Sequence, residues 1–327
     1  MKFRNTASRT RGLAASAILA AAALGAPADA GAKFTLFDPP GSTLTSVACL
    51  NDAGSVTGYY NDAAGTSHGF IRNAGGAFKS FDPAGSSATL PAAINAEGAV
   101  TGDFYSNQTR WVGFIRSRSG QIATFQFPDF ENTFPLSINR AGDIVGYAVT
   151  AGAPSGAFLR LANGTVSAIT PAGSNGAVAA SINDAGEITG SYQDAAGATH
   201  GFVQVNGEVQ SFDVPGAGQT VPVSLNEDGT IAGSTNSSGF IRAPDGSITT
   251  FDENDVEQIS RSGLVTGDYV PANGPYEGYI RRKNGATILF SAPGATVGTS
   301  AQCINRGGVV AGDDFESSTS HGYLRSP

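Results

Sequence analysis

The chain repeats itself. A unit of the form FDxPG…INxxGxIxGxY…HGFIRxxxGxxxxFD recurs seven times. Its strand glycine falls at Gly58, Gly102, Gly146, Gly190, Gly233, Gly267 and Gly312. Its aromatic, after the small residue of the GF pair, falls at Phe70, Phe114, Phe158, Phe202, Phe240, Tyr279 and Tyr323. Five of the six glycine steps are 43 to 45 residues long and one is 34. Self-similarity at this period means a stacked or circular array of one supersecondary unit.

Each copy reads as four short strands. In copy one they are TSVACLN, SVTGYY, HGFIRN and AFKSFD. They are punctuated by DAG, by the polar loop NDAAGTS and by AGG, which are hairpin signals. No segment carries a helical period. Four antiparallel strands in about 40 residues is the signature of a propeller blade. Copy seven stops at GYLRSP, after its third strand, whereas residues 32–38, AKFTLFD, are a spare fourth strand. The expected fold is therefore all-β: a single seven-bladed β-propeller of four-stranded antiparallel blades, closed by the N-terminal strand completing the last blade. Closure removes exposed edges.

Composition agrees. The chain has 44 Gly among 327 residues, 14% charged residues and 40% hydrophobic residues. That suits short strands and tight turns, and disorder needs lower hydrophobicity or higher charge. The expected organisation is a signal peptide over 1–30 and a propeller over 31–327. Lys2, Arg4, Arg9 and Arg11 precede the apolar run LAASAILAAAAL, and ADA at 28–30 fits a cleavage site. No adjacent arginine pair marks the twin-arginine route. Export by general secretion, to the periplasm or the medium, is the expectation. Without 1–30 the net charge moves from −8 to −11. An acidic surface argues against nucleic acid and anionic membranes. No later segment is apolar for long enough to span a bilayer, and a monomer is expected.

The GxxHGFIR core, the INxxGxIxGxY hairpin and the basic–apolar leader resemble the bacterial extracellular HAF-repeat family, named for a His-Ala-Phe triplet. Here the middle letter is mostly Gly, with Ala157 in copy three. The resemblance covers nearly the whole chain after residue 30. It implies export and a propeller-like array, and no particular activity.

All three histidines, His68, His200 and His321, are letters of the repeat. The matching positions elsewhere hold Val112, Gly156, Ser238 and Glu277, so a three-histidine metal site is not expected. Each His is expected to bond backbone at a loop-to-strand junction. Arg72, Arg116, Arg160, Arg242, Arg281 and Arg325 follow the aromatic by two, with Gln204 in copy four. Against the acids Asp38, Asp82, Asp213 and Asp252 they suggest cross-strand ion pairs. The turns beginning at Asn51, Asn95, Asn139, Asn183, Asn226 and Asn305 have too few carboxylates for a calcium loop. Their Asn and Gly fit tight turns. The segment 251–258, FDENDVEQ, is denser in acids and is the place for an adventitious cation. No cofactor is implied.

Cys49 and Cys303 occupy equivalent places in the first strands of copies one and seven. An exported chain with two cysteines invites a disulfide. Rotation-related Cβ vectors argue against it, so a staple at the closure point and two small buried thiols both stay open.

Function is sought where copies break the pattern. Copy two has DFYSNQTRW, with Tyr105, Arg110 and the single tryptophan, Trp111. Copy three has FQFPDFENTFP, with Asp129 and Phe130; copy six has DYVPANGPYE, with Tyr276 and Glu277. Aromatics beside amides and charges suit sugar or peptide recognition. No nucleophile elbow, phosphate loop or zinc-protease motif is present. The expectation is a non-enzymatic binding or scaffold module contacting a glycan, peptide or envelope partner. The alternatives are a hydrolase or lyase with carboxylates at the channel mouth, and a purely structural envelope protein.

Overall fold

A computed structural model describes residues 31–271 and 274–327; the expected signal segment lies outside the described residues. Twenty-eight strands and no helix lie among these residues. They pair antiparallel in sets of four that follow the copies. Copy one is Leu44–Leu50, Val56–Asn61, Ser67–Arg72 and Phe78–Phe81. Its sheet joins that of copy two through one parallel pair, Ser67 with Ala88. Copy seven is Gly298–Ile304, Val310–Phe315 and Ser320–Ser326, with Lys33–Phe37 as its fourth strand, paired antiparallel to the third.

The second-strand glycine makes room for a first-strand carbonyl, and the glycine before the strand-three aromatic makes room for a ring. A Cβ on Gly58 would stand 2.1 Å from the Ser46 carbonyl and 3.0 Å from the ring of Phe70, its cross-strand partner. A Cβ on Gly69 would stand 2.9 Å from Phe81, its partner on the fourth strand. The aromatic of strand three and the phenylalanine of strand four thus each lie over a glycine. Copy three shows the dependence. Its fourth strand offers Ile169 instead of Phe, and there the glycine is replaced by Ala157.

The arginines do not pair with the FD acids. Arg72 lies over the ring of Phe37, 4.9 Å from its centroid, and Arg116 over Phe81 at 5.0 Å. Arg160, Arg242, Arg281 and Arg325 stack on Phe125, Phe212, Phe251 and Phe290. Each guanidinium covers the phenylalanine of the preceding copy, so the contact joins neighbouring sheets. The copy that follows Ile169 has no ring to cover and carries Gln204. Arg281 also has Glu253 3.8 Å away.

Buried apolar clusters lie between consecutive sheets. One holds Phe37, Val47, Leu50, Val56 and Phe70 together with Cys303 and Ala311, and so joins copies one and seven. Burying such side chains contributes about 1.5–3 kcal/mol each. The same junction is bridged by the disulfide Cys49–Cys303, whose Cα atoms are 5.1 Å apart. The facing geometry comes from the first strands, each of which bulges around the residue before the cysteine position. The side chain at that position then reaches the next copy: Ser137 accepts from the amide of Ile182, Ser181 from Leu225, and Gln258 from Ile304.

Candidate functional site

The loops between strands two and three, and the crossovers to the next copy, share one end of the sheets. The histidines lie here, bonded to carboxylates and not to backbone. His68 Nδ1 is 2.7 Å from Asp82 and its Nε2 is 3.4 Å from Asp62. His200 sits likewise between Asp213 and Asp194, and His321 Nδ1 is 2.7 Å from Asp38. The FD acid also takes the hydroxyl of the next first strand, Thr89 on Asp82 and Thr45 on Asp38. The hydrogen bond to the FD acid is the main reason each histidine titrates above its ordinary value. The constellation is a repeated lock between copies.

Along the same end, the hairpin of Val100–Ser106 and Arg110–Arg116 pairs Tyr105 with Trp111. Their rings are 5.1 Å apart. Trp111 meets Phe134 at 6.2 Å, and Phe134 stacks on Tyr147 at 5.1 Å. Tyr105, Trp111 and Tyr147 are half-buried, and Arg110 is exposed. Arg110 lines an open cleft of about 640 Å³ with Asp82, Phe104 and Gln121. Phe130 is stacked on Phe127 at 5.1 Å and floors a smaller cleft of about 290 Å³; Asp129 beside it is exposed. In copy six, Tyr276 covers Gly298 and packs on Phe315, and Glu277 takes the histidine position, accepting from Ser291. The residues of copies two and three are thus neighbours, since Asn132 accepts from the amide of Trp111.

Acids at the position after the strand-two glycine carried no weight in the sequence reading. Copies two, six and seven place Asp103, Asp268 and Asp313 where other copies have Tyr or Ser, and that departure was the available signal. Asp268 accepts from Ala301 N and Ser300, and Asp313 from Val47 N and Ser46. Burial dominates both, pushing Asp268 up to about 7 and Asp313 up to about 8. Glu257 stands at the bulge of its first strand, where other copies have Ala48, Ala92, Leu136, Ala180 and Val223. Burial, then Asp268 and Asp255, holds its carboxyl well above the usual range. Among the described residues no three His, Cys, Asp or Glu side chains form a group able to hold a metal, the acidic segment 251–258 included.

No protein-family model matches the chain, and no curated relative matches it. Solved structures do. Virginiamycin B lyase from Staphylococcus aureus superposes with a TM-score of 0.60 at 13% identity, over 90% of this chain and 99% of that one. The β-propeller domain of the Trilobed protease from Pyrococcus furiosus gives 0.59 at 10%, over 86% and 95%. Puromycin hydrolase gives 0.57 at 13%, over 87% of this chain and 52% of that one. The fold is a β-propeller. Among the described residues no helix is long and apolar enough to cross a membrane.

Proposed function

We propose that the chain is an exported, seven-bladed propeller of the HAF-repeat type, closed by Lys33–Phe37, and that its loop end binds a glycan or peptide. The observation that carries the binding reading is the run Tyr105–Trp111–Phe134–Tyr147, with exposed Arg110 above the neighbouring cleft. Half-buried rings offer apolar faces at fixed positions, and a guanidinium adds a planar donor for hydroxyl, carboxylate or amide oxygens. Such a surface needs no catalytic group. The test is a glycan and peptide array probed with the chain and with Trp111→Ala. Binding that the substitution weakens at least tenfold supports the reading. An array without hits overturns it.

A second reading rests on Glu257. Burial, with Asp268 and then Asp255 nearby, raises the Glu257 carboxyl well above the usual range, the direction a general acid needs. Two of the matching propellers are named as a lyase and a hydrolase. Incubation with virginiamycin B and with puromycin, followed by product mass, tests this. Turnover that Glu257→Gln abolishes supports it; identical masses before and after overturn it.

A further inference from the structure

Asp314 departs from the repeat in a way that neither reading uses. The position two after the strand-two glycine holds Tyr60, Phe104, Ala148, Tyr192, Thr235 and Tyr269 in the other copies. In copy seven it holds an acid that is 0% exposed. Neither carboxylate oxygen has a hydrogen-bond partner among the described residues. Its cross-strand partner is His321, but that ring bonds Asp38 instead. A buried carboxylate without a partner is costly, and chains keep one where something compensates it.

The surroundings show what kind of group compensates. Gly294, in the crossover from copy six, has φ +103 and no side chain. The point its Cβ would occupy is 3.4 Å from Asp314 Oδ2 and 3.4 Å from Glu316 Oε1. Glu316 stands where copies one and four have Asp62 and Asp194, which face their histidines. Among the described residues no arginine or lysine forms an ion pair with Asp314 or Glu316; His321 acts on both by charge while its ring bonds Asp38. Two carboxylate oxygens therefore converge on one small space beside a glycine backbone. We infer that Asp314 and Glu316 bind a hard divalent cation, calcium, between the Gly294 crossover and the second strand of copy seven. Since no group of three His, Cys, Asp or Glu side chains able to hold a metal lies among the described residues, the remaining oxygens come from backbone and water, which calcium accepts at 2.3–2.6 Å. Bound there, the ion ties the crossover to the strand it passes.

The experiment uses the full chain, stripped with chelator and titrated with calcium chloride by calorimetry and by thermal unfolding. One ion per chain is expected, with a dissociation constant of about 10⁻⁴–10⁻³ M for so few charged ligands. The unfolding temperature should rise with calcium. Asp314→Ala reproduces the residue that copy three already buries at this position, Ala148, and so keeps the fold testable. It should unfold at a temperature that calcium no longer shifts. Glu316→Gln should weaken binding at least tenfold. Asp252→Asn, in the acid-dense segment of copy six, should change nothing. The proposal is overturned if the intact chain takes up no calcium at about 10 mM, ten times the weak end of that range. It is equally overturned if Asp314→Ala responds as the intact chain does.

Discussion

The side-chain amide of Asn305 donates to the backbone carbonyl of Asn51, 3.5 Å away and 254 positions earlier. The same bond runs from Asn51 to Asn95, from Asn95 to Asn139, from Asn139 to Asn183 and from Asn183 to Asn226. Asn226 reaches the carbonyl of Ser260. Each asparagine also closes its own turn, as when Asn95 Oδ1 accepts from Ala99 N. The turn residue is therefore a link between copies as well.

Asn95→Asp keeps the turn acceptor and removes the donor to Asn139; Asn95→Ala removes both. Because Asn95 is buried, each lost bond leaves a group unsatisfied, at about 1–3 kcal/mol. Alanine should cost more than aspartate at acidic pH. Denaturant unfolding of both variants checks the order, and equal stability of all three chains would contradict the linking role.

Cys49 and Cys303 join copies separated by 254 residues. Holding so long a loop restricts the unfolded chain, by about 2–5 kcal/mol in the loop-entropy account. Cys303→Ser should lower stability within that range, and reductant should have no further effect on it. Mass spectrometry of the unreduced, alkylated chain should show no free thiol. Two alkylated cysteines would remove the staple.

Arg116 is buried, stacked on Phe81 of the preceding copy, and donates to the carbonyl of Ser117. Burial pulls its guanidinium below the usual arginine range, so part of the stacking energy offsets desolvation. Arg116→Met should keep the contact area and cost about 1 kcal/mol, the scale of a partly desolvated cation–π pair. Arg116→Lys should cost more, since a compact ammonium can neither cover the ring nor shed its water as readily. Thermal unfolding of the two variants reads the difference.

The glycines and aromatics were legible in the sequence because they act within one sheet, at fixed cross-strand register. Gly58 with Phe70 and Gly69 with Phe81 recur at the same spacing in nearly every copy. What the repeat hid is what crosses between sheets. Arg72 pairs by sequence spacing with an acid of its own copy, yet it lies over Phe37 of the copy before. Asp82 likewise serves His68 of its own copy and Thr89 of the next. The aromatic strip was half legible. Trp111 and Tyr105 share a hairpin, but the partnership with Phe134 and Tyr147 needs the neighbouring sheet. Asp313 and Asp314 were passed over because their significance lies in burial, which a period of about 44 residues does not report.

Stability should fall as pH rises from about 4 to about 8. Asp268 and Asp313 titrate near 7 and 8 in the folded chain, against 3.8 for the free side chain. A folded value above the unfolded one means that the folded chain holds the proton more tightly. That contribution is complete below about pH 4 and is lost as pH passes 7 and then 8. The histidine locks act in the same sense, since His68, His200 and His321 titrate above 6.5 and lose their charge as pH rises through their folded values. Asp313→Asn separates the two. The amide keeps an acceptor for Val47 N and never ionises, so the variant should match the intact chain near pH 4. At pH 9 it should exceed the intact chain by on the order of a few kcal/mol. Denaturant midpoints at pH 4, 7 and 9 measure this, and parallel profiles for the two chains would show that Asp313 carries none of the pH dependence.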